Sequence, residues 1–168
     1  MMRKAKVCLI GATAVGKSSL VARFVSSIFS ERYRTTIGVK IETRTVRRNG
    51  ESLDLVLWDI SGEDEFQNVQ SSYLRGAAGY LVVIDGTRRE TVDVALTLSA
   101  RSRELVNDAP FVVVVNKADL AGVWEVDRRQ IEAMKRDGWR VVQASAKTGD
   151  GVEAAFDALA DLILGRKP

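Results

Sequence analysis

The chain has 168 residues, a formal net charge of +3 and a single cysteine, Cys8. That length suits one domain, 1–168, burying about 70% of the surface its unfolded chain exposes, and 46% hydrophobic with 28% charged residues is ordinary for a globular chain. One thiol excludes an intramolecular disulfide and fits a reducing, cytoplasmic setting, while apolar runs no longer than 80–84 and 111–115 are too short to span a bilayer.

In chain order, the basic start Arg3-Lys4-Ala5-Lys6 leads into a strand over Lys6–Ile10 rather than into a signal sequence. Cys8 reads as a small core residue of that strand. A helix is expected over Gly16–Ser26. Val39–Arg48 and Ser52–Asp59 flank Asn49-Gly50, the strongest short hairpin signal, so this pair should be antiparallel. Tyr80–Asp85, Phe111–Asn116 and Arg140–Ala144 are apolar runs of the kind buried on both faces of a parallel sheet. Thr91–Val106 and Asp127–Arg136 are amphipathic helices between them. The last helix is the clearest, with Val152, Phe156, Leu159 and Ile163 on one face, and Asp150 with Glu153 resembles a capping box. The alternation predicts right-handed crossovers and a doubly wound α/β sheet, whose ligands bind beyond the carboxyl ends of the strands.

Five short motifs stand at those ends or in the loop beside them. Gly11-Ala12-Thr13-Ala14-Val15-Gly16-Lys17-Ser18 matches G-x-x-x-x-G-K-S between a strand and a helix. Its glycines let the backbone wrap a phosphate, so Thr13, Ala14, Val15, Gly16, Lys17, Ser18 and Ser19 are nucleotide-binding candidates. Lys17 should reach the β- and γ-phosphates and the Ser18 hydroxyl should ligate Mg²⁺. Asp59 ends an apolar strand as a carboxylate that steadies Mg²⁺ would. Gly62, in Trp58-Asp59-Ile60-Ser61-Gly62, lacks a side chain where a backbone N–H would approach a γ-phosphate. A hydroxyl in Thr35-Thr36-Ile37-Gly38 can complete the Mg²⁺ shell when a γ-phosphate holds that loop closed; position alone leaves Thr35 and Thr36 equal.

The remaining two motifs read the base. In Asn116-Lys117-Ala118-Asp119, the Asp119 carboxylate can accept from both the ring N–H and the exocyclic amine of guanine, a pattern adenine lacks. Asn116 would tie this loop to the phosphate loop and the Lys117 stem would cover the base plane. In Ser145-Ala146-Lys147, the Ala146 N–H can donate to the guanine carbonyl. Phe29 either stacks on the base from the other side or packs in the core. The five together point to a GTP/GDP and Mg²⁺ pocket.

These residues resemble the Ras superfamily of small GTPases, and Rab proteins in particular, over nearly the whole chain. The resemblance implies the P-loop NTPase (small G-protein) fold: α/β, a six-stranded, mostly parallel sheet with one antiparallel hairpin strand and helices on both faces. Tyr33-Arg34-Thr35-Thr36-Ile37-Gly38-Val39 looks like a Rab first switch and Leu57–Phe66 like its second. The family's switch threonine precedes Ile-Gly, which selects Thr36 over Thr35. Tyr33 would fold over the phosphates. Ile41, Trp58 and Tyr73 match a hydrophobic triad that Rab proteins present to effectors; hairpin and helix packing is the competing reading. Effectors, an exchange factor and a GTPase-activating protein would then engage Tyr33–Ile41, Trp58 and Tyr73 of a monomer.

Four departures stand out. The family's switch-two glutamine is Glu63, which can accept from the attacking water but cannot donate toward the γ-phosphate. A carboxylate is also the better base, so sequence leaves the sign of its effect open. Ile60-Ser61 replaces Thr-Ala, and Thr13 and Ala14 stand where Ras has glycines. The chain ends Leu164-Gly165-Arg166-Lys167-Pro168 without a cysteine for a lipid anchor, which implies either a trimmed tail or a soluble relative such as a bacterial one.

The expectation is a switch that hydrolyses GTP slowly, with Lys17, Thr36, Gly62 and Glu63 as its catalytic group. The alternative is a near-inactive, GTP-loaded scaffold for effectors, and a third reading, an ATPase or kinase, is opposed by Asp119. No arginine finger is evident in cis, since Arg32 and Arg34 read as solvated. Nor is a nucleic-acid surface: Arg47-Arg48 and Arg88-Arg89 read as solvated faces too.

Overall fold

The computed structural model describes residues 3–26, 39–60 and 72–165. Strands β1 (Arg3–Ile10), β2 (Val39–Arg48), β3 (Glu51–Ile60), β4 (Gly79–Asp85), β5 (Phe111–Asn116) and β6 (Arg140–Gln143) form one six-stranded sheet in the order β2-β3-β1-β4-β5-β6. β2 and β3 pair antiparallel and every other neighbour is parallel. Asn49 and Gly50 turn the hairpin with φ of 53° and 80°, so both central residues are left-handed, and Arg48 faces Glu51 across it. This is the α/β, small G-protein arrangement expected from the sequence.

Helices α1 (Lys17–Ser26), α2 (Glu90–Leu105), α3 (Arg128–Arg136) and α4 (Val152–Gly165) cover both faces of the sheet. The two-residue period of each central strand divides its apolar side chains between them. Val7, Leu9, Leu81, Val83, Val112 and Val114 join Leu20, Phe24 and Phe156 from α1 and α4. Cys8, Ile10, Val82, Ile84, Val113 and Val115 join Val92, Leu98, Ile131 and Met134 from α2 and α3. β4 is buried along its whole length, which is why it reads as one apolar run.

Val152, Phe156, Leu159 and Ile163 are all buried on one face of α4. The Phe156 ring stacks on Phe24 with centroids 3.9 Å apart, locking α4 onto α1. The capping box stands elsewhere than expected. It closes α3, where the Asp127 side chain accepts from Gln130 N and Gln130 Oε1 accepts from Asp127 N. α4 starts at Val152, two residues beyond Asp150, and Glu153 instead accepts from Arg44 Nη1 at 2.5 Å. A short 3₁₀ helix over Ala118–Val123, unforeseen in the sequence, carries Asp119. No helix among the described residues is long and apolar enough to cross a membrane.

Candidate functional site

The loop between β1 and α1 turns back on itself through Gly11 (φ 153°), Ala14 (φ 64°) and Gly16 (φ 103°). A Cβ on Gly11 would stand 2.4 Å from the Val83 carbonyl oxygen, and one on Gly16 2.2 Å from Asn116 Nδ2. Both glycines are therefore dictated by close packing as well as by φ.

Side chains hold the loop's carbonyls. Lys17 Nζ donates to Gly11 O at 2.8 Å and to Ala12 O at 3.1 Å. Arg88 Nη2 donates to Thr13 O at 2.9 Å, Lys117 Nζ to Ala14 O at 3.4 Å, and Asn116 Nδ2 to Val15 O at 2.9 Å. Five consecutive carbonyls thus each accept a side-chain donor. Across a trans peptide the C=O and the next N–H point in opposite directions, so these bonds turn the N–H groups of Ala12 through Gly16 the other way. A cradle of such amides at a helix N-terminus is an anion site. Lys17 is itself buried, and Ser19 is half-buried in the first turn of α1.

The Ser18 hydroxyl donates to Asp59 Oδ2 in a short contact. Asp59 is 1% exposed at the carboxyl end of β3, which brings a hydroxyl and a carboxylate together beside the cradle. Two adjoining hard oxygen donors suit Mg²⁺, which accepts one or two protein oxygens and completes its shell with phosphate and water.

The base loops pack against the same end of the sheet. Asn116, 2% exposed, joins three motifs: besides its bond to Val15 O, its Oδ1 accepts from Ala146 N at 3.2 Å. Asp119 Oδ1 accepts from Ser145 Oγ at 2.8 Å, which fixes the carboxylate's orientation, and Thr148 N donates to Ser145 Oγ at 3.1 Å. Lys117 adopts φ 70°, and its Nζ lies 2.6 Å from Asp85 Oδ2. Lys147 is exposed, and its carbonyl accepts from Arg23 Nη2 in a short contact.

Four residues here escaped the sequence reading. Asp85 is fully buried at the end of β4 and also accepts from Thr87 N and Oγ1; an acid ending an apolar strand, as Asp59 does, was a legible signal. Arg88, expected on a solvated face, instead braces the phosphate loop through Thr13 O because buried Asp85 draws its guanidinium inward; Trp124 braces Lys117 O, and Arg23 Nε donates to Ala146 O at 2.8 Å. None of these three carries a sequence signal. Of the expected site residues, Phe29, Tyr33, Thr36, Gly62 and Glu63 lie outside the described residues, as does the competing Thr35.

The three apolar candidates lie on one stretch of the hairpin side. Ile41 pairs with Trp58 across β2 and β3, and the Trp58 and Tyr73 rings meet at 6.0 Å. Lys6 Nζ sits 3.8 Å over the Trp58 ring. Trp58 and Tyr73 also pack onto the core below, whereas Ile41 is 49% exposed.

Comparison with known proteins adds the family. The family model described as Ras family matches residues 6–165. The chain belongs to the Ras family. Ras-related protein Rab-12 of Mus musculus is 35% identical to it over 98% of this chain and 69% of its own length. Rab-12 of Homo sapiens gives the same 35% identity and the same coverage. Ras-family proteins are GTPases, and this Rab-like member is accordingly a guanine-nucleotide-binding hydrolase, which favours the switch over the scaffold and the ATPase.

Proposed function

We propose that the chain, 1–168, acts as one G domain that binds GTP and GDP with Mg²⁺, hydrolyses GTP slowly, and offers its GTP-dependent loops to protein partners. The observation that carries this reading is Asn116, whose single buried side chain bonds both the phosphate loop at Val15 and the second base loop at Ala146. A ligand contacting all three would be held at both of its ends.

In this reading the amides of Thr13, Ala14, Val15, Gly16, Lys17, Ser18 and Ser19 cradle the phosphates. Lys17 turns its ammonium from the loop carbonyls toward the β- and γ-phosphates. Ser18 and Asp59, with Thr36, would hold Mg²⁺, which when bound neutralises charge on the phosphate oxygens. Gly62 brings its N–H to the γ-phosphate and Glu63 accepts from the attacking water. Asp119, steadied by Ser145, accepts from the guanine N–H groups, and Ala146 N–H donates to its carbonyl. Lys117 covers one face of the base, Phe29 the other, and Lys147 closes the rim; Tyr33 folds over the phosphates. Effectors and regulators would read Tyr33–Ile41, Trp58 and Tyr73, and the protein works as a monomer.

The base assignment is tested by Asp119→Asn. An amide in place of the carboxylate donates where guanine also donates, and pairs instead with the extra carbonyl of xanthine. Competition binding should show guanine nucleotides weakened and xanthine nucleotides strengthened. Unchanged preference would remove Asp119 from the base site.

A further inference from the structure

Four of the five carbonyl contacts on the phosphate loop come from residues that the nucleotide motifs already name, but the one at Thr13 does not. Arg88 leaves the turn after β4, reaches back across 75 residues of sequence, and donates from Nη2 to Thr13 O at 2.9 Å. Its Nε lies 3.6 Å from Asp85 Oδ2, the same oxygen that stands 2.6 Å from Lys117 Nζ. Asp85 is fully buried and so holds two cations, one bound to Thr13 O and one to Ala14 O. Glu90 Oε1, also 3.6 Å from Arg88 Nε, steadies the guanidinium from the start of α2.

We propose that Arg88 is a positioning residue for nucleotide phosphate, acting through the Thr13–Ala14 peptide; this rests on the GTP-binding reading above. Holding Thr13 O outward turns the Ala14 N–H inward, because the peptide is trans. Ala14 sits at φ 64°, a conformation that L side chains rarely adopt, so the peptide needs an external tether to keep that orientation. Arginine suits the task better than lysine. Its planar fork can bond a carbonyl through one nitrogen while another faces the carboxylate that orients it. The Asp85 carboxylate also links the two straps, so the base loop at Lys117 and the phosphate loop at Thr13 share one anchor.

The test uses the full chain and a fluorescent GDP analogue, comparing wild type with Arg88→Ala, Arg88→Lys and, as a distant arginine, Arg48→Ala. Loss of a charged donor to a carbonyl should speed GDP release and weaken GDP by about tenfold in Arg88→Ala. Arg88→Lys, which keeps a cationic donor, should recover part of that loss, and Arg48→Ala should match wild type. Competition by guanosine, which lacks phosphate, should be the same for wild type and Arg88→Ala. The Arg88 side chain is 34% exposed, so its removal leaves the core intact. GDP release within twofold of wild type would overturn the proposal. So would an equal loss for guanosine and GDP, the mark of a merely structural arginine. Failure of wild type itself to bind GDP would sink the nucleotide reading instead.

Discussion

The indole Nε1 of Trp124 donates to the backbone carbonyl of Lys117 at 2.8 Å. Lys117 is left-handed at φ 70°, and the same carbonyl also accepts from Leu120 N. The indole lies over Gly86, where a Cβ would come within 2.2 Å of Trp124 Cε2. Trp124 is thus a clamp on the residue that leads into Asp119. Trp124→Phe keeps an aromatic ring but deletes the donor, a loss of about 1 kcal/mol, so nucleotide release should quicken about fivefold. Stopped-flow displacement of labelled GDP measures it. A rate equal to wild type would show that the base loop holds its shape without the indole.

In the proposed function, Glu63 bears on the chemical step. A carboxylate cannot donate toward a phosphate oxygen and adds negative charge beside an anion, whereas a glutamine side chain can donate and is neutral. Replacing it by Glu63→Gln should therefore speed single-turnover hydrolysis of GTP, by about tenfold or more if one transition-state donor is restored. If wild type is the faster of the two, Glu63 works as a base on the attacking water.

Cys8 offers a pH signature. Burial pushes its thiol from 9.0 up to about 12, against the smaller opposing pull of the nearby Lys6 ammonium. In the folded chain the thiol stays neutral where the unfolded chain has already ionised. Its contribution to stability is therefore complete below about pH 9 and is lost as pH rises toward 12. The slope between those limits should approach 1.4 kcal/mol per pH unit, about one proton per unfolding event. Cys8→Ala should flatten denaturant midpoints measured over that range. At neutral pH, thiol reagents should label native Cys8 only as fast as the protein opens.

The Phe24–Phe156 stack makes a stability prediction. Phe156 is fully buried where α4 meets α1. Phe156→Ala should cost about 3–5 kcal/mol in urea unfolding through the cavity it leaves. Phe156→Leu should cost less because it fills part of that volume. Equal losses would mean that ring stacking, not volume, holds the two helices together.

A last prediction concerns acid. The hydrogen bond from Arg48 holds the Asp161 carboxyl below its ordinary range, partly opposed by burial. Both Arg48 Nε and Nη2 bond it, at 2.8 Å and 2.7 Å, tying β2 to α4. A lowered folded pKa contributes stability above the unfolded value of 3.8 and loses it as pH falls through the folded one. Asp161→Asn should abolish that acid-side slope and lower the neutral-pH midpoint only by the small amount the slope had supplied, since the pair is half-exposed. Acid titration of the denaturation midpoint distinguishes the two chains.

By itself, the sequence determined the sheet and the outline of the candidate site. Valine-rich apolar runs such as Phe111–Asn116 favour strands buried on both faces, and Asn49-Gly50 favours a sharp turn. Residue types whose chemistry is specific, such as Lys17, Asp59, Asn116 and Asp119, were legible because a side chain's donors and acceptors are written in its identity. The tertiary structure alone decided what braces them. Arg88 to Thr13, Trp124 to Lys117 and Arg23 to Ala146, the last pair 123 residues apart, are bonds from a side chain to a backbone carbonyl. Every residue carries the same carbonyl, so no letter in the sequence marks which one will accept. Only the packing of β4, β5 and α1 around the loop brings each donor to its place.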